Sequence, residues 1–140
     1  MNTTQKEKEL KFYVCTVCGN VIYKLVDSGL TPQCCGRDMV ELIPGTVDAS
    51  IEKHVPVWMM DGCKVIIRVG EDAHPMTKDH YIKWVLLKTT KGIYIKDLEP
   101  GEDPVVCFKI CKGETVKCVY EYCNLHKLWK NNREEIQNEC

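Results

Sequence analysis

The sequence predicts an all-β protein, with a small metal-bound β unit followed by a larger antiparallel β-sandwich. Three observations lead there. Ten cysteines fall in 140 residues, and four of them, Cys15, Cys18, Cys34 and Cys35, crowd the first part of the chain. Beyond residue 45, short apolar runs alternate with turn residues in the manner of paired strands. Helical spacing shows only near the end, where Leu125, Leu128 and Trp129 share one face.

The opening Met1–Glu9 is polar, and no stretch approaches the roughly 18 to 20 apolar residues that a membrane helix needs. The expected location is cytoplasmic, with no membrane partner. In that compartment many cysteines indicate metal binding or redox chemistry rather than a disulfide framework. Lys and Arg number 19 against 20 Asp and Glu, a net charge of −1. This lacks the basic excess of a nucleic-acid binder, so no nucleic-acid partner is expected.

The first unit is expected over residues 1–44. Lys11–Val14 leads into Cys15-x-x-Cys18, Val21–Val26 reads as a strand, Asp27-Ser28-Gly29 as a turn and Met39–Ile43 as a closing strand, before Pro44-Gly45 punctuates the chain. So short a unit buries too little apolar surface to hold itself, which makes a tetrahedral site of Cys15, Cys18, Cys34 and Cys35 the simplest source of stability. Cys34 and Cys35 are adjacent. They cannot form the two-residue knuckle of an ordinary zinc ribbon and must chelate through a strained local geometry. Spacing alone does not choose between zinc and iron.

The second unit is expected over residues 45–140. Val55–Met60 and Cys63–Val69 read as a hairpin about Asp61-Gly62. Tyr81–Lys88 with Gly92–Lys96, and Val105–Ile110 with Thr115–Tyr122, read as further hairpin-like pairs, giving about seven strands. The tail reads as a helical turn running into the polar stretch Lys130–Glu139. Cys63, Cys107 and Cys118 read as small apolar residues within strands, Cys111 as a turn residue and Cys140 as a terminal thiol.

The four histidines, His54, His74, His80 and His126, all lie in this second unit at strand ends or loops, where sites are usually built. With Cys123 they offer four imidazoles and one thiolate, one donor more than zinc normally takes. Iron accepts five or six donors, and five leave a position open for a small molecule.

The pattern Cys15-x-x-Cys18 with Cys34-Cys35 resembles desulforedoxin, which implies a single iron on those four thiolates. Glu52-Lys53-His54-Val55-Pro56, His74-Pro75-Met76 with His80-Tyr81-Ile82 and Trp84, and Cys123-Asn124-Leu125-His126 resemble the motifs of superoxide reductases. Together the two units are similar to the two-iron class called desulfoferrodoxin. The resemblance implies an immunoglobulin-like sandwich in which equatorial His54, His74, His80 and His126 and axial Cys123 hold ferrous iron. It further implies that superoxide is reduced to hydrogen peroxide there, that Lys53 attracts the anion, that Glu52 approaches ferric iron, that a rubredoxin-like donor restores Fe(II), and that the chain is a homodimer. One departure stands out: the family commonly has glycine after the last histidine, where this chain has Lys127, which bears on the shape of that loop. Two other readings remain open at this point. An electron carrier would fill the sixth position of the iron with a protein donor, Met76 being nearest in sequence, and a zinc-ribbon interaction module would leave the histidines incidental.

Overall fold

The computed structural model describes residues 9–45, 51–70 and 72–134, leaving aside the side chains of Ile51 and Glu52. Among the described residues the chain is all-β apart from one helical turn, and it divides into two compact units, Met1–Ile43 and Pro44–Cys140.

The first unit is a three-stranded antiparallel sheet in the order β2-β1-β5, formed by β1 (Phe12–Val14), β2 (Val21–Tyr23) and β5 (Val40–Leu42). A two-stranded ribbon, β3 (Gln33–Cys34) with β4 (Arg37–Asp38), is inserted before β5. The two residues between β3 and β4 are Cys35 and Gly36, with φ of 54° and 71°. Positive φ at both central positions is the hairpin geometry that matches strand twist, and it is undemanding for glycine but strained for cysteine. Asp27 makes the predicted turn, its Oδ1 accepting from the Gly29 N–H at 2.8 Å and from the Lys24 ammonium at 2.7 Å. Among the described residues of this unit, Phe12, Tyr13, Cys15 and Met39 are buried, and Cys34 packs against the last three. An interior that small leaves the cohesion of the unit to the sulfurs.

The second unit is a sandwich of two antiparallel sheets. One contains β6 (Pro56–Asp61), β7 (Lys64–Val69) and β10 (Val105–Lys109) in the order β10-β7-β6. The other contains β8 (Ile82–Thr89), β9 (Ile93–Asp97), β11 (Val116–Cys123) and β12 (Lys127–Asn131) in the order β12-β11-β8-β9. Trp58, Val65, Ile67, Val69 and Val106 from the first sheet meet Val85, Leu87, Val119 and Cys123 from the second in one core. Apolar alternation along β7, where Val65, Ile67 and Val69 are all fully buried, sets its inward face.

Four expectations change. The β6–β7 turn is Gly62-Cys63, because Asp61 pairs with Lys64, so Cys63 leaves the strand for the turn. Val105–Lys109 and Val116–Cys123 do not pair with each other: β10 pairs with β7, and β11 with β8 and β12. Their connection crosses between the sheets, and Glu114 anchors it. That fully buried carboxylate accepts from the Thr89 hydroxyl, the Tyr94 hydroxyl and the Cys111 N–H. The tail is strand rather than helix, since β12 pairs with β11 over Val119–Cys123; the side chains of Asn131 and Arg133 then donate to the carbonyls of Pro56 and Trp58 at 2.9 Å each. Finally, residues Ile51–His54, not the tail, form the helical turn, α1. Cys118 is buried in β11 as expected and Cys111 lies in its turn, but Cys107 faces outward on β10. Cys140 and the end of the polar tail lie outside the described residues.

Candidate metal centres

In the first unit the Sγ atoms of Cys15, Cys18, Cys34 and Cys35 all lie within 4.8 Å of one another. The Cys15 turn is closed by the Gly19 N–H donating to the Cys15 carbonyl at 2.9 Å, and it turns the Cys18 N–H toward the Cys15 sulfur at 3.4 Å. The N–H groups of Cys18 and Val17 lower the Cys15 thiol to about 6, whereas the neighbouring Cys18, Cys15 and Cys34 sulfurs raise Cys35 to about 12. Four thiols so close cannot all ionise without a cation among them, and a metal ion is the natural replacement for their protons.

In the second unit the donor atoms of His54, His74, His80, Cys123 and His126 likewise lie within 4.8 Å of one another. Four separate segments deliver them: the end of α1, the loop over residues 72–81, the end of β11, and the short connection into β12. The imidazoles form a ring of four. Successive centroids are 4.8 Å apart for His54–His74, 4.6 Å for His74–His80, 5.0 Å for His80–His126 and 4.6 Å for His126–His54, and each of these pairs is edge-on. His54 and His80, 6.3 Å apart, face each other across the ring with planes only 28° apart. The Nε2 of His54 lies 2.8 Å from the Nδ1 of His126 and 3.3 Å from the Nε2 of His74. Adjacent ligands about 2.1 Å from one ion sit roughly 3 Å apart, so the ring has the size of a square of metal-bound nitrogens.

Donor chemistry agrees with the geometry. The Nδ1 of His74 lies 2.6 Å from the Pro75 carbonyl, which holds the proton there and leaves Nε2 to point inward. The Nε2 of His80 is buried with no hydrogen-bond partner, a costly arrangement for a polar atom unless it serves as a ligand. Burial, assisted by the neighbouring imidazoles, lowers His74 to about 4, and burial also lowers His80, helped by the charges of His126 and Lys53. Neutral imidazoles are the form that binds metal. Burial pushes the Cys123 thiol up, while the N–H groups of His126 and Leu125 pull it down and ready the sulfur for a cation. The residues present fit a metal with five protein donors, which leaves the sixth place of an octahedron without a protein donor in this group.

Two residues that sequence reasoning passed over hold this arrangement, and a third is buried close to it in sequence. The Asn124 side chain donates to the Asp79 carbonyl and accepts from the Tyr81 N–H, both at 2.9 Å, which pins the His80 loop to the Cys123 loop. Trp129, 4% exposed, donates its indole N–H to the His126 carbonyl at 2.9 Å and packs its ring 5.1 Å from that of His54. Glu121, two residues before Cys123, is fully buried with neither carboxylate oxygen partnered, and burial pushes it well above the ordinary carboxyl range. An Asn between two ligands was a signal open to reading; the other two depend on strand pairing. Met76 is not placed as a sixth donor, because its sulfur accepts from the Ile82 N–H at 3.4 Å and its side chain packs against the core. Lys53 is exposed. The Glu52 side chain lies outside what the structure describes.

A four-thiol group on a small sheet and a four-imidazole, one-thiolate group on a β-sandwich define a two-centre non-haem metalloprotein. The chain belongs to the desulfoferrodoxin family, an iron-binding family: the family's model, described as Desulfoferrodoxin, matches residues 46–132. A desulfoferrodoxin of Syntrophotalea carbinolica is 40% identical over 89% of this chain and 97% of its own length. Among solved structures, the superoxide reductase of Treponema pallidum superposes with a TM-score of 0.76 at 39% identity, covering 89% of this chain and 99% of that one. The 1Fe superoxide reductase of Giardia intestinalis reaches 0.50 at 36% identity over 60% of this chain and 99% of its own. Among the described residues no helix is long and apolar enough to cross a membrane.

Proposed function

We propose that this chain is a superoxide reductase that transfers one electron from ferrous iron, held by His54, His74, His80, His126 and Cys123, to superoxide, yielding one hydrogen peroxide after uptake of two protons. The observation that carries this reading is the ring of four imidazoles with a buried thiol beside it, five donors grouped among the described residues, in a chain whose relatives include proteins named for this reaction. Bound iron supplies the electron and an open coordination place. The remaining chemistry falls to the protein. Asn124 and Trp129 fix the ligand loops, the Leu125 and His126 N–H groups steady the thiolate, and Lys53, an exposed cation whose charge reaches His80, attracts the anionic substrate and orients water for proton delivery. Glu52 is proposed to approach the iron once it is ferric.

Residues 1–44 are proposed as a desulforedoxin-like iron domain on Cys15, Cys18, Cys34 and Cys35, and residues 45–140 as the catalytic domain. A rubredoxin-like carrier is the proposed donor that restores Fe(II), in the cytoplasm. A homodimer is proposed, and Leu25, Val26 and Leu30 of the first unit, 81%, 80% and 75% exposed, are apolar side chains that such a contact would cover. The test is to mix the reduced protein with a pulse of superoxide: one peroxide per superoxide with no oxygen evolved supports reduction, whereas half that yield with oxygen released would show dismutation instead.

A further inference from the structure

Beyond the ligands, the second centre carries a backbone outlier with a charged side chain. The connection from β11 to β12 spans Asn124, Leu125 and His126, and the next residue, Lys127, is the direct register partner of Cys123. Its φ is 65°. Three-residue hairpin connections followed by a left-handed residue are common, but that residue is ordinarily glycine, because a side chain there crowds its own carbonyl. A strained non-glycine position beside a site is evidence that the side chain contributes something glycine lacks. Here that is an ammonium group on a residue next to one ligand and paired across the ladder with another.

We propose that Lys127 is a tuning residue of the second centre: its charge, carried beside the Cys123 sulfur by the β11–β12 pairing, weakens electron donation from the thiolate and raises the reduction potential of iron bound there. Lys127 follows the ligand His126 directly in the chain and stands opposite Cys123 in the β11–β12 ladder, so its backbone is adjacent to two of the five donors. A cation near the metal favours the less positive ferrous state. The chain thereby trades an easier backbone for a centre that its donor reduces more readily.

This inference rests on the proposed iron site, and three variants separate its parts. Lys127→Met removes the charge and keeps the stem, Lys127→Arg keeps the charge, and Lys127→Gly removes the charge and relieves the backbone. Each is loaded with iron, titrated potentiometrically and scanned for the sulfur-to-iron absorption of the ferric form; thermal unfolding is followed on the same samples. The expected result is that Met and Gly both lower the potential, moving the ferrous-to-ferric ratio at fixed solution potential by on the order of tenfold, and shift the absorption to longer wavelength. Arg leaves both where they are, and Gly alone raises the unfolding temperature. A potential in Lys127→Met equal to that of the parent would overturn the tuning role while leaving the iron site standing. Absence of iron from the histidine group of the parent would overturn both.

Discussion

Trp129 offers a sharp check on how the second centre is held, because it touches two ligands and binds no metal itself. Replacing it with Phe keeps a ring against His54 but removes the N–H that the His126 carbonyl accepts at 2.9 Å. Losing one hydrogen bond to a part-buried carbonyl costs about 1 kcal/mol, and a smaller ring against His54, now at 5.1 Å, weakens an aromatic contact worth about 0.5 kcal/mol. Together these come to about 1.5 kcal/mol, roughly a tenfold loss of iron affinity at that centre alone. The magnitude lies within the range seen when groups supporting a ligand are removed. The assay is anaerobic competition against a ferrous chelator, reading the two centres separately by their absorption. Trp129→Phe should release iron from the histidine group at about a tenth of the chelator concentration the parent requires, with the four-thiol centre unmoved. An affinity within twofold of the parent would refute the idea that this indole positions the ligands.

Two further outcomes follow from the geometry. Glu114→Gln should destabilise the second unit by ~3 kcal/mol in denaturant titration, since three donors then face a neutral amide in a site that is fully buried. Burial alone would raise the Glu114 carboxyl, but the Thr89 hydroxyl, the Cys111 N–H and the Tyr94 hydroxyl outweigh it and hold it below its ordinary 4.5. Its stabilising contribution is therefore present above pH 4.5 and lost as pH falls through that value and below, so the variant should lose the corresponding part of the acid limb of the stability curve. Cys35→Ser should empty or loosen the first centre and leave the second centre's iron content intact. Loss of iron from both would contradict the division into two independent sites.

The two groups of donor residues that the structure brings together were legible in the sequence, because histidine is scarce here and because thiolates and imidazoles at such spacings have few structural uses. The sandwich was legible from turn residues between apolar runs. Pairing was not. Val105–Lys109 and Val116–Cys123 flank a turn-like Cys111-Lys112-Gly113, and nothing local says that β10 joins β7 while β11 joins β8; that choice is made by long-range burial and by Glu114. Leu128 and Trp129 are both buried in β12, and two consecutive apolar positions following Leu125 imitate a helical face where the real partner is β11. The off-by-one turn at Gly62-Cys63 reflects Asp61 pairing with Lys64 rather than entering the turn. Asn124 escaped as a functional residue because its partners, Asp79 and Tyr81, lie far away in the chain, and Trp129 because its ring meets the distant His54 and its bond to the nearby His126 carbonyl needs the strand turn that the sequence reading missed.

The most direct test of the two-centre account is the metal content of the parent protein and of Cys123→Ser, loaded with ferrous iron under anaerobic conditions and measured after gel filtration by elemental analysis. Two irons per chain in the parent, and one in the variant, retained by the four-thiol group, is the predicted result. One metal per chain in both proteins would contradict it, since the histidine ring would then hold none.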